Sequence, residues 1–209
     1  YELIEPIVNG RGKARVGEGQ WLVAFTADDL DGTARLCERR GLAVSERTER
    51  AVMFEPSSTG GVQIALVGFP PQASQTSGLV AALDHVVIRT ANIDRAVANF
   101  GGRLGLDLRL DRCNERWGAR QLFFEAGNAV VEFGASLKAR ASDAPDSFGG
   151  LAWRVADPVA AQARIAAAGF NVSEVRAGRK PGTYVFTVRD APAGVPTIMM
   201  SAEPAMESA

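Results

Sequence analysis

Few residues in this chain have the chemistry to carry an activity. His85 is the only histidine among 209 residues, and it heads an alternating run, DHVVIR. In such a run every second side chain shares a face. Glu132 is the one carboxylate of a second alternating run, NAVVEF. An imidazole and a carboxylate on two strands can hold a divalent cation, bind a polar organic group, or move a proton, with Glu132 as the base. Arg89 shares the strand phase of His85, and Arg154 takes the same phase in a later run, GLAWRV. Both are candidates to hold a carboxylate or phosphate of a ligand. Asp84 adjoins His85 and is expected on the opposite face, so no nucleophilic triad is expected, and no G-x-S-x-G phrase accompanies it. Trp117, Phe123 and Phe124 are read as core or cleft wall, and Met199 and Met200 as packing.

The elements around His85 follow from periodicity. Ile93, Ala96, Val97, Phe100 and Leu104 fall on one helical stripe, with Asn92 as N-cap and Gly105 as the stop. Strand-like runs follow at Leu108–Arg112, Gln121–Glu125 and the segment ending at Glu132. The unit from Leu83 to Gly134 therefore reads strand, helix, strand, strand, strand. Upstream, WLVAFTA is a strand, and Asp28-Asp29 caps a helix that stops at Gly41. AVMF and GVQIALV are two more strands. Downstream, Asp157 caps a helix with Pro158 in its first position and Gly169 at its end. Tyr184–Val188 and Val195–Met200 close the chain.

The three helix-stop glycines, Gly41, Gly105 and Gly169, are each 64 residues apart. Leu22, His85 and Gly150 precede them by 19 or 20 residues. A period this long marks one supersecondary unit copied in tandem. Tyr1–Val8 reads as the closing strand of a further unit, of which roughly 50 upstream residues are expected. The Gly-rich Asn9–Gln20 is a connector, because a strand rather than a helix follows its glycines.

Composition narrows the function. A net charge of −1 gives no footprint for nucleic acid or an anionic membrane. No apolar run approaches the roughly 20 residues of a membrane span. Cys37 and Cys113 have no metal-type spacing and read as free thiols of a cytoplasmic protein. FPPQASQTSG is the one linker-like stretch.

The phrases LDHVVIRTANIDRAVANFGGRLGL, NAVVEFG, GLAWRVADPVAAQARIAAAGF and GVPTIMMSAEP resemble the vicinal-oxygen-chelate superfamily, to which glyoxalase, bleomycin resistance proteins and extradiol dioxygenases belong. AVMFEPSSTGGVQIAL and GEGQWLVAFTADDL resemble parts of its methylmalonyl-CoA epimerase branch. The resemblance covers nearly the whole chain. It implies an α+β fold of tandem βαβββ modules forming incomplete barrels, with a divalent metal held by one residue from each of four strands. The implied domains are 1–70, the end of a first domain, 71–81, a linker, 82–205, a second domain, and 206–209, a tail. The four ligand positions in the second domain would be His85, Glu132, Gly150 and about Ile198. In the earlier pair Glu2, Leu22 and about Ala65 stand at three of them. Glycine and isoleucine offer no donor, so His85 and Glu132 make at most an incomplete metal site. The expectation is a protein that binds a small organic molecule with no tightly bound cofactor, a divalent metal being the alternative. That alternative is a metal-dependent lyase, isomerase or dioxygenase using His85 and Glu132. A small-molecule partner is expected and a homodimer is compatible with it.

Overall fold

The computed structural model describes residues 19–68, 78–179 and 181–201. Three copies of one topology account for them. The first holds β1 (Leu22–Thr26), α1 (Leu30–Arg39), β2 (Val44–Arg47), β3 (Ala51–Phe54) and β4 (Gln63–Val67). The second holds β5 (Val80–Arg89), α2 (Ile93–Ala96), β6 (Asp107–Asn114), β7 (Ala119–Ala126) and β8 (Ala129–Ser136). The third holds β9 (Ser147–Val155), α3 (Pro158–Ala167), β10 (Arg176–Ala177), β11 (Tyr184–Val188) and β12 (Thr197–Ser201). In each copy the first strand pairs in parallel with the fourth, and the order is first, fourth, third, second. The strand taken for the end of an earlier unit, with Glu2, lies outside the described residues.

Local chemistry builds each copy the same way. Asp29, Asn92 and Asp157 each accept a backbone N–H of the first helical turn, satisfying donors that have no partner within the helix. Gly41, Gly105 and Gly169 follow the helices at φ of 94°, 83° and 93°. Only glycine adopts this conformation without a steric penalty. The middle helix departs from expectation. It is α-helical only over Ile93–Ala96 and continues as a π-helix over Val97–Arg103. Its last turns include Gly101 and Gly102, residues with weak helical preference.

β5 and β9 pair antiparallel and join the second and third copies into one sheet, in the order β10-β11-β12-β9-β5-β8-β7-β6. The two outermost strands do not pair, so the barrel stays incomplete, yet Arg179, after β10, stacks on Trp117, between β6 and β7. A contact between opposite edges requires the sheet to curl. Its helix-covered side carries the core: Val86, Ile88, Phe100, Leu122, Phe124, Val131 and Phe133. Phe100 and Phe133 meet edge to face with centroids 4.6 Å apart, the geometry aromatic quadrupoles favour. Val23, Phe54 and Ile64 of the first copy belong to this same core.

A polar joint seals that junction. Arg95 Nη2 donates to Asp146 Oδ1 at 2.6 Å and to the Ala144 carbonyl at 2.7 Å. The Asp146 N–H donates to the Gly60 carbonyl at 2.8 Å. The Asp146 side chain is only 1% exposed. Removing one partner from a buried pair leaves an uncompensated charge, at a cost of about 3–5 kcal/mol. Asp146→Ala should therefore lower the melting midpoint by about 6–20 °C. The double variant Arg95→Met/Asp146→Leu should recover much of that loss. Thermal denaturation followed by circular dichroism checks both.

The two thiols should also separate. Cys37 is on the buried face of α1 and Cys113 is exposed, and burial pushes the Cys37 thiol up. A raised thiol has less of the reactive thiolate. One thiol should react rapidly with an aromatic disulfide reagent in the native protein, and the second only in denaturant. Labelling a Cys113→Ser variant assigns them.

Candidate functional site

Side-chain alternation on β5 sends Val86 and Ile88 into the core and His85 to the concave side of the sheet. β8 lies beside it in parallel, with Val87 opposite Glu132. The two strands bring His85 Nε2 to 3.5 Å from Glu132 Oε2. That separation is too long for a strong hydrogen bond, and short enough for one polar atom in the cleft to touch both groups. Their side chains keep 15% and 11% exposure, so solvent reaches both.

Asp84 corrects the expectation of opposite faces. His85 Nδ1 lies 2.7 Å from Asp84 Oδ1. The cause is a bulge in the β5–β9 ladder: Leu83 pairs with Trp153 and His85 with Ala152, leaving Asp84 as the extra residue. A bulge breaks strict alternation and re-aims a side chain. Asp84, a carboxylate, accepts the Nδ1 proton, which leaves Nε2 as the nitrogen that faces Glu132 and the cleft. Arg154 joins from β9. Its Nε lies 3.1 Å from Asp84 Oδ2, and its Nη2 donates to the carbonyls of Leu83, at 3.2 Å, and Asn128.

On the other side of Glu132 stand two residues that sequence reasoning missed. Gln121 on β7 donates its amide to Glu132 Oε1. Arg112 on β6 donates to Gln121 Oε1 through Nε at 3.2 Å and Nη2 at 3.1 Å. The polar groups thus form one line across five strands: Arg154, Asp84, His85, Glu132, Gln121, Arg112. Both residues lay in runs read as strands, but the register that aligns them with Glu132 has no local sequence signal.

The remaining candidates separate. Arg89 is exposed at the end of β5 and does not join the line of contacts. Gly150 has a structural reason of its own: at φ 139°, a β-carbon there would sit 2.3 Å from the Pro196 carbonyl oxygen. The residue facing His85 across the ladder is Ala152, and Ile198 pairs beside Ala152 on β12. Ala152 is fully buried, whereas Val87, Phe123, Ile198 and Met200 stay partly exposed and make this face apolar beside His85. Phe124 and Met199 are buried in the core, whereas Trp117 is 47% exposed on the β6–β7 turn. A cavity of about 150 Å³ lies away from His85, lined by Gly19, Gln20, Phe148, Gly150, Gly194, Val195 and Pro196. It presents no titratable side chain.

These donors do not suit a tightly held metal. The 3.5 Å between His85 and Glu132 matches the span of two ligands with bonds of about 2.1 Å. Such sites want about three protein ligands, and Ala152 and Ile198 supply none. Asp84 is engaged by His85 and Arg154, and Gln121 gives its amide to Glu132. Among the described residues no group of three His, Cys, Asp or Glu can hold an ion.

A single histidine makes the tautomer directly observable. Long-range proton–nitrogen correlation spectra at neutral pH should show His85 protonated at Nδ1. Asp84→Asn should remove that preference, since an amide can donate as well as accept. An unchanged tautomer would show that Asp84 does not set it.

The family described as Glyoxalase/Bleomycin resistance protein/Dioxygenase superfamily matches residues 84–187. Methylmalonyl-CoA epimerase from Mycobacterium tuberculosis is similar in structure, with TM-score 0.53 and 22% identity, over 66% of this chain and 98% of that one. A mutant of 4-hydroxymandelate synthase from Streptomyces coelicolor is similar over 90% of this chain and 71% of that one, with TM-score 0.70 and 13% identity. At these identities the likeness shows the fold alone. No curated protein matches the sequence.

Proposed function

Since the chain belongs to the glyoxalase/bleomycin resistance/dioxygenase superfamily, we propose that its concave face binds a small, partly apolar organic molecule without a tightly held metal. The observation that carries this reading is the half-polar concave face of the sheet. His85 and Glu132 stand at one end, 3.5 Å apart, beside the partly exposed apolar side chains of Val87, Phe123 and Ile198. Such a pocket orients a ligand by its few polar groups and binds it by apolar contact. His85 Nε2 and Glu132 receive the polar end of the ligand. Arg154 supports the site through Asp84, and Arg89 meets ligand only at the rim. Residues 82–205 form the binding domain, 1–70 belong to a neighbouring domain, and the protein works in the cytoplasm. Among the described residues no helix is long and apolar enough to cross a membrane.

One observation favours a second reading, an enzyme. His85 has a carboxylate beside each ring nitrogen, an arrangement that can move a proton between ligand and Glu132. Glu132 is then the general base of an isomerase or lyase, with His85 as its proton partner.

Elemental analysis and a ligand screen test the proposal together. Purified protein exposed to zinc, iron, manganese and magnesium, then desalted, should hold well under one equivalent of any. A screen of small amphiphilic acids and aromatics by thermal shift should give compounds that stabilise the wild type. At 100 times Kd the gain is about 2.7 kcal/mol, on the order of 5–10 °C. His85→Ala and Glu132→Ala should lose most of it. One stoichiometric divalent ion, lost in His85→Ala, would overturn the metal-free reading.

A further inference from the structure

Two arginines of the β6–β7 hairpin have a carboxylate across the ladder. Arg109 pairs with Glu125, and Arg120 bonds Asp111 at 2.7 and 2.9 Å. That contact holds the Asp111 carboxyl below the usual carboxylate range. Arg112 is different. It lies 5.1 Å from the Phe123 ring centroid and 6.0 Å from that of Trp117, and its polar partner is the neutral Gln121. A second guanidinium, Arg179, stacks on the same Trp117 at 4.0 Å. The two cations therefore lie within about 10 Å of each other. Among the described residues neither has a carboxylate within ion-pair distance.

Like charges gathered on one ring repel, and nothing described nearby neutralises them. The stacking leaves their bonding capacity open. A guanidinium carries five N–H donors in its plane, and a ring beneath it occupies only its face. Arg112 gives two of its donors to Gln121, which leaves three.

We infer that Arg112 and Arg179 form an anion site at the mouth of the cleft, taking a carboxylate, sulfonate or phosphate at the far end of the ligand. This rests on the ligand-binding reading of the cleft and adds a chemical class to it. The ligand is an amphiphilic anion: a polar end at His85 and Glu132, an apolar body along Phe123, and a charged group under the Trp117 stack. Because Arg112 comes from one edge of the sheet and Arg179 from beside the other, an anion held by both ties the two edges together over the cleft.

Two fluorescent probes separate the claims. 8-Anilinonaphthalene-1-sulfonate carries an aromatic body and an anion, and N-phenyl-1-naphthylamine has the same body without the charge. The sulfonate should bind the wild type about tenfold tighter than the neutral probe at low salt, as expected for charge-assisted hydrogen bonds. Arg112→Gln and Arg179→Gln should each remove most of that advantage, and Arg179→Gln, which lies outside the line of contacts through Glu132, should leave the neutral probe's affinity unchanged. Arg179→Lys, which keeps the charge and loses the planar fork, should fall between. No advantage in the wild type, or one that survives both glutamine variants, overturns the anion site. A neutral probe that fails to bind while the sulfonate binds through both arginines keeps the anion site and sinks the apolar cleft. Failure of both probes to bind sinks both.

Discussion

The antiparallel ladder between β5 and β9 is the constraint on which the rest depends. Each copy of the repeat satisfies one edge of its first strand internally, through the parallel fourth strand. The other edge needs a partner from outside. An unpaired edge in the middle of a protein would leave a row of N–H and C=O groups without partners, each a substantial loss when buried. β5 and β9 supply one another, and their pairing makes two four-stranded units into one curled sheet. It also determines where chemistry can sit. His85 is on β5, Arg154 on β9 and Glu132 on the strand beside β5, so the pairing of β5 with β9 brings these three side chains together.

A bulge in that ladder gives the site its character. With perfect alternation Asp84 would face the helices, where an ionised carboxylate would be costly. One extra residue between Leu83 and His85 turns it toward the imidazole instead. The same irregularity lets Arg154 reach both Asp84 and the Leu83 carbonyl. The first copy supports this arrangement from the far side of the helices. Its Val23, Phe54 and Ile64 share the core with Phe100 and Phe133, and the Asp146–Arg95 pair ties Gly60 to the start of β9. The site is thus backed by a core drawn from more than its own two modules.

Much of this was legible in the sequence, because the repeat is written in residues with strong local preferences. The caps Asp29, Asn92 and Asp157 and the left-handed Gly41, Gly105 and Gly169 mark the helices without reference to anything distant. Alternation put His85 and Glu132 on comparable phases of their strands. What alternation cannot reveal is register. Gln121 reaches Glu132 only because β7 pairs with β8 so that Phe123 faces Glu132. The bulge at Asp84 was hidden for the same reason, and so was the need for glycine at 150, which comes from the Pro196 carbonyl some 46 residues away. The π-helical turn after Ala96 keeps the apolar stripe of an α-helix well enough to read as one.

The six polar side chains of the seam are best understood as one object. They run from the Arg154 cation through the Asp84 carboxylate, the imidazole and the Glu132 carboxylate to neutral Gln121 and the Arg112 cation. Each partly buried member is stabilised by its neighbours, and connected polar groups are held at lower cost than the same groups would bear alone. Removing any one leaves the next unpaired, so single substitutions act beyond their own contact. The cleft-side break in this line is the gap between His85 and Glu132, at 3.5 Å the one junction without a short bond. In the proposed binding mode a polar ligand atom within hydrogen-bond reach of both groups completes the network rather than competing with it. The gap thus favours, for the proposed ligand, a recognised end that is small and polar.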